Sequence, residues 1–148
     1  MKASEFFTKE QKNQIVSAIK EAEKNTSGEI RVHIESNCKI DVLDRAAYIF
    51  KKLEMHKTAL RNGVLFYLAV NDKKFAILGD AGINAVVPDN FWEDVKNIMA
   101  EYFKKSEFTE GLTKGISLAG ELLKKYFPYK SDDINELSDE ISFNNKNK

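Results

Sequence analysis

The sequence predicts an α/β fold: a three-layer α/β/α sandwich, Rossmann-like in outline, with a small mixed β-sheet and helices on both faces. Three observations predict it. Apolar residues recur at helical spacing in four stretches, alternate through residues 29–35, and run unbroken through 63–70. The order is helix, strand, helix, strand, strand, helix, helix. The first two strands then end a right-handed crossover and run parallel. A short Asn71-Asp72 turn sends the third back antiparallel to the second.

Each element has its own signal. Thr8 and Gln11 fit a capping box, followed by the stripe Ile15, Val16, Ile19 and Ala22 to about Lys24. Thr26-Ser27-Gly28 stops that helix. In the first strand Ile30, Val32 and Ile34 share one face and Arg31, His33 and Glu35 the other, which predicts a half-buried strand near a sheet edge. Asp41 is placed to cap a second helix in which Leu43, Ala46, Ala47, Phe50 and Leu53 follow at spacings of three and four. Residues 55–60 connect to a central strand, 63–70, apolar on both faces, and 73–78 returns beside it. Pro88-Asp89-Asn90 opens a third long helix with Phe91, Trp92, Val95, Ile98, Met99, Tyr102 and Phe103 inward. Thr109 is expected to cap a fourth, with Leu112, Ile116, Ala119, Leu122 and Leu123 inward. Gly111, Gly115 and Gly120 inside it each cost about 1 kcal/mol against Ala, which predicts close backbone packing there. Pro128 ends the helix and, on this reading, the domain (1–128). Residues 129–148 form a polar acidic tail or a short docking helix, in which Asp132, Asp133, Glu136, Asp139 and Glu140 surround only Ile134, Leu137 and Ile141.

Composition excludes several functions. The 148 residues are enough for one domain with a proper core. Lys+Arg and Asp+Glu are both 23, so the basic excess that nucleic-acid binding needs is missing. The longest apolar run is too short to span a bilayer, and the N-terminus has no apolar core of a signal peptide. A single cysteine, Cys38, excludes an internal disulfide and a multi-cysteine metal site. A soluble, cytoplasmic protein is expected.

The strand directions gather polar groups at one end of the sheet. Parallel first and second strands share a starting edge, and the reversed third strand finishes there. Ser27-Gly28-Glu29, Arg61-Asn62 and Gly79-Asp80 should therefore meet, and Asp89 can fold back to them. Oxygen-rich loops with glycines suit a hard divalent cation, Ca2+ or Mg2+. The candidate ligands are Asp80, Asp89, Asn62 and Gly79, with Arg61 and Glu29 in support. Three plainer roles compete: Asp80 as a turn residue, Asp89 as a helix cap, and Arg61 as the partner of Asp80. A rival cluster, Asp41, Asp44 and Asp72, lies at the opposite edge.

"SGEIRVHIE", "RNGVLFYLAV", "KFAILGDAGI", "VPDNFW" and "FTEGLTKGISLAGELLKKYFP" together resemble the TPM domain family, over about residues 6–128. That family includes thylakoid-lumen proteins linked to photosystem repair, a nematode receptor-associated protein and many bacterial proteins. The resemblance implies an α/β/α sandwich and divalent-cation binding, and some plant members are described as acid phosphatases. The family's Asn-Gly matches Asn62-Gly63, its glycine-acid step Gly79-Asp80, and its acid before the next helix Asp89. Many members carry Asp where this chain has Arg61, which removes a carboxylate and adds a positive charge. Many also carry leaders or membrane anchors, and this chain is expected to resemble a soluble, intracellular branch.

Phosphatase chemistry finds little support in the residues. Cys38 and Arg45 are spaced C-x6-R, one residue longer than a cysteine phosphatase needs. D-x-D, Arg-His-Gly and Walker A motifs are absent. His33 and His56 read as lone surface histidines. Gly79-Asp80-Ala81-Gly82 imitates a phosphate clamp, but Asp80 would repel a phosphate. The remaining route is metal-assisted, with a cation at Asp80 and Asp89 activating water and Arg61 steadying charge. Three functions therefore stand: a cation-binding domain without strong catalysis and with a possible protein partner, a weak metal-dependent phosphatase, and a metal-free protein-interaction module. In the interaction roles the acidic tail or the region of Trp92, more often a core residue, would meet the partner.

Overall fold

The computed structural model describes residues 2–130 and 135–144. A short helix, α1 (Ala3–Phe6), leads to α2 (Lys9–Glu23). The capping box forms as expected: the Gln11 N–H donates to the Thr8 hydroxyl at 3.1 Å, and the Thr8 N–H donates to the Gln11 side chain at 2.9 Å. Then follow β1 (Glu29–Glu35), α3 (Val42–Lys52), a single 3-10 turn (Met55–Lys57), β2 (Gly63–Ala69) and β3 (Lys74–Gly79). The chain continues through α4 (Ala81–Asn84), α5 (Glu93–Lys104), α6 (Phe108–Leu123) and β4 (Ser142–Asn144).

The sheet order is β3-β2-β1-β4. β1 and β2 run parallel with Glu29 opposite Gly63, and β3 returns antiparallel with Gly79 opposite Val64. Strand periodicity divides the core in two. Ile30, Val32, Ile34, Val64, Phe66 and Leu68 face a large cluster with α2, α5 and α6. Leu65, Tyr67, Ala69 and Ala76 face a smaller one with Ala46, Ile49 and Phe50 of α3. Helices therefore cover both faces, which makes the three layers.

Glycines set the helical layer. A Cβ at Gly115 would lie 2.6 Å from Met99 of α5, and one at Gly120 would lie 2.8 Å from the Cβ of Ala22 in α2. The backbone of α6 thus sits where side chains would otherwise separate it from its neighbours.

Four expectations need correction. β1 is not a half-buried edge strand: β4 pairs parallel with it, His33 opposite Ser142, and α3 covers its polar face. β4 itself lies in the segment read as a tail or docking helix, beyond Pro128. There the buried Leu137 and the partly buried Ile141 and Phe143 outweigh the surrounding polarity. Asp132, Asp133 and Ile134 lie outside the described residues. α6 begins at Phe108 after Glu107, so Thr109 is a buried first-turn residue and not its cap. Residues 88–92 form successive turns, Phe91 N–H to the Pro88 carbonyl and Glu93 N–H to that of Asn90, so α5 starts later than the Pro-Asp-Asn signal suggests.

Candidate functional site

The predicted convergence at the start of β1 and β2 occurs, and Asn62 builds it. Its N–H donates to the Thr58 hydroxyl at 3.2 Å, its side-chain amide donates to the Ser27 carbonyl at 3.1 Å, and its carbonyl accepts the Glu29 N–H at 3.1 Å. Asp80 is tied to the same end by its N–H on the Gly63 carbonyl at 2.9 Å.

Arg61 holds the centre. It occupies the left-handed region at φ 50°, an uncommon place for a residue with a Cβ. Its carbonyl accepts the Gly82 N–H at 2.9 Å. That approach requires glycine, since a Cβ at Gly82 would lie 2.2 Å from the Leu60 carbonyl oxygen. The Arg61 guanidinium grips the buried Asp80 carboxylate with two bonds, Nε to Oδ2 and Nη2 to Oδ1, both 2.8 Å. Asp80 Oδ1 also accepts the Ala81 N–H at 2.7 Å and caps α4. Beside this pair lies a cleft of about 340 Å³ between α3 and β3, lined by Ala47, Phe50, Lys51, His56, Leu78 and Gly79 together with Arg61 and Asp80.

The proposed cation ligands do not assemble into a donor set. Both Asp80 oxygens face a guanidinium. The Gly79 carbonyl accepts the Asn84 amide at 3.1 Å. Asp89 is exposed in its turn and, among the described residues, makes no hydrogen bond or ion pair. Glu29 is buried and committed elsewhere: its carboxylate accepts the Leu137 N–H at 2.5 Å. Burial raises its pKa to about 7, against the pull of the Leu137 and Glu136 N–H groups and with the push of the Glu136 charge. Among the described residues no three His, Cys, Asp or Glu side chains stand where they could share a metal ion. As arranged, these residues do not fit a divalent cation, and no metal-assisted step follows from them.

At the opposite edge the rival acids have local duties. Asp41 caps α3, accepting from the N–H groups of Leu43 and Asp44 at 3.1 Å each. Asp72 accepts the Cys38 N–H at 2.7 Å.

A second polar cluster escaped the sequence reading. Glu35, 2% exposed, is its hub. Arg45 donates from Nε at 3.0 Å and Nη2 at 2.5 Å, and the Tyr67 hydroxyl and the Asn144 amide also donate to it. His33 bridges Glu35 at 3.1 Å and the Ser142 hydroxyl at 2.9 Å. His33 is thus a buried strand residue and not a surface one. Burial alone would raise the Glu35 pKa, but the donors outweigh it and hold the carboxylate well below its usual range. The cluster seals α3 and β4 onto β1. One signal was available: Arg45 lies within the apolar arc of α3, between Val42 and Ile49, where a charge needs a buried partner.

Three comparisons with known proteins bear on this arrangement. The BA42 protein of the psychrophilic bacterium Bizionia argentinensis, solved by NMR, is 54% identical; the match covers 97% of this chain and 99% of that one with a TM-score of 0.91. The N-terminal domain of the cg2496 protein of Corynebacterium glutamicum shares 13% identity and a TM-score of 0.64, over 78% of this chain and 73% of that one. An N-terminal domain from P. gingivalis shares 15% and a TM-score of 0.69, over 84% and 80%. These last two share the fold alone. No functionally curated protein matches the chain. The family model of the TPM domain matches residues 1–122, and with the polar groups gathered at the Asn62-Gly63 and Gly79-Asp80 steps, the chain belongs to the TPM domain family.

Proposed function

We propose that this TPM domain is a non-catalytic, metal-free binding module whose working surface is the cleft beside Arg61 and Asp80. One observation carries the proposal: the buried Asp80 carboxylate is neutralised by a two-bond contact with Arg61. A cation there would have to displace a guanidinium and meet its repulsion. The surface next to the cleft favours a protein partner. Leu43 and Tyr48 on α3, and Ile40 just before it, are each more than half exposed. The proposal includes a cytoplasmic setting, in keeping with the buried free thiol of Cys38.

The test is a titration of the 15N-labelled, metal-stripped protein with Ca2+ and then Mg2+. The amides of Asn62, Gly63, Asp89 and residues 79–82 are expected to stay in place at millimolar metal, the weak end of calcium affinities. Chelator-sensitive turnover of a generic phosphate ester is expected to be absent. Arg61→Asp should behave differently. Asp tolerates the left-handed backbone, and the exchange sets a second carboxylate beside Asp80, so saturable shifts should appear. Saturable shifts at these amides in the unaltered protein would restore the cation-binding function and overturn this one.

A further inference from the structure

We propose that the cleft between α3 and β3 takes a small, singly charged carboxylate with a short apolar body. This rests on the binding function proposed above and names its ligand class. The cavity, about 340 Å³, is within the size range of small-molecule sites. Ala47, Phe50 and Leu78 give it apolar walls, and Lys51, His56 and Arg61 supply nitrogen donors. Asp80 is the one acid among its lining residues, and both its oxygens are engaged.

The donors are available. Arg61 spends Nε and Nη2 on Asp80 and makes no other side-chain bond among the described residues, which leaves its Nη1 to be used. Its position is fixed in advance by Asp80 and by the Gly82 N–H on its carbonyl, which lowers the ordering cost of binding. The side chains of Lys51 and His56 make no hydrogen bond or ion pair with any described residue. A guanidinium edge with a neighbouring ammonium matches the planar oxygens of a carboxylate. Charge selects among anions. Lys51 and Arg61 against Asp80 leave one net positive charge, which a carboxylate balances. A phosphate monoester, at roughly −1.5 to −2 near neutrality, overshoots it.

The experiment follows amide shifts of the full chain with four probes that share a phenyl group: phenylacetate, phenyl phosphate, phenylacetamide and phenethylamine. Phenylacetate should give saturable shifts at Ala47, Lys51, His56, Arg61 and Leu78, and bind more tightly than the other three. Lys51→Glu leaves the Arg61–Asp80 pair intact and should weaken phenylacetate about fivefold, the scale of one partly exposed charge contact. Equal or tighter binding of the amide, the amine or the phosphate ester overturns the ligand class but leaves a binding cleft. Undiminished affinity in Lys51→Glu removes the charge argument and overturns it too. If no probe saturates at these residues, the inference fails while a protein-binding surface stands. Shifts induced by Ca2+ at residues 79–82 would show instead that the underlying function is wrong.

Discussion

Glu35 and Asp80 solve the same physical problem in different places. Each is a buried carboxylate whose cost of leaving water is offset by an arginine bound through two nitrogens. Arg45 reaches Glu35 from one helical turn inside α3, and its side chain is only a quarter exposed. Its removal would strand a buried charge. Arg45→Ala is expected to destabilise the fold by about 3 kcal/mol or more, read from the urea unfolding midpoint at pH 7. A loss near that of an ordinary surface ion pair would show that Tyr67, His33 and Asn144 hold Glu35 unaided. At this scale the sequence was readable where a residue's partner is close along the chain. Thr8 with Gln11 and Asp41 with the first turn of α3 needed only local spacing. The partners of Glu35 arrive from α3, β2 and β4, and Asn144 lies 109 residues away. Nothing local in "HIES" announces them.

Among the elements, α6 depends most on what it lacks. Ala would be the better helix former at position 120 by about 1 kcal/mol, yet its methyl would meet both the Cβ and the Cα of Ala22, at 2.8 and 3.0 Å. Backbone cannot step aside as a flexible side chain can. Gly120→Ala is therefore expected to be net destabilising, since overpacking of about 1–3 kcal/mol exceeds the propensity gain. Gly115→Ala should cost less, because it meets the flexible side chain of Met99. Thermal unfolding of the two variants gives the order, and a stabilised Gly120→Ala would refute the close contact. The in-helix glycines and the apolar periods made α2, α3, α5 and α6 legible, and the crossover rule made β1 and β2 parallel. β4 was illegible because three residues carry too little pattern, and acidic neighbours mask the apolar ones.

Across the whole molecule, the segment 135–144 fastens the sheet through acids that prefer to be protonated. Burial and a hydrogen bond with Asp139 raise Glu23 to about 9, against the Ile30 N–H that favours its charge. Glu29 is raised to about 7. Both exceed their ordinary 4.5, so the folded chain holds protons that the unfolded chain releases. The stability they supply is complete below pH 4.5 and is lost as pH rises through 7 and then 9. Glu35 acts in the opposite sense: its carboxylate is favoured in the fold, so its contribution is lost on acidification. The melting temperature should fall from about pH 5 to pH 9, and Glu29→Gln, which keeps an acceptor for the Leu137 N–H, should flatten the lower part of that slope. A level profile in the unaltered protein would count against these shifts. The polar end of the sheet was foreseeable from strand direction alone. That Arg61 would close on Asp80 was one of several arrangements, and only side-chain geometry chooses among them.

The position of β4 also bears on how the fold is reached. The ladder it forms joins His33 to Ser142, one of the longest loops the chain must close. Such long-range pairings slow folding, because chain entropy is lost before contacts repay it. As the chain emerges from its N-terminus, β1, β2 and β3 can pair while the outer rim of β1 still waits for its strand. During that interval the nascent sheet presents unpaired backbone groups to any neighbouring chain. β4 narrows that hazard when it docks: it pairs with residues 33–35 of β1 and leaves a three-residue edge in its place, and very short edge strands are poor templates for further pairing.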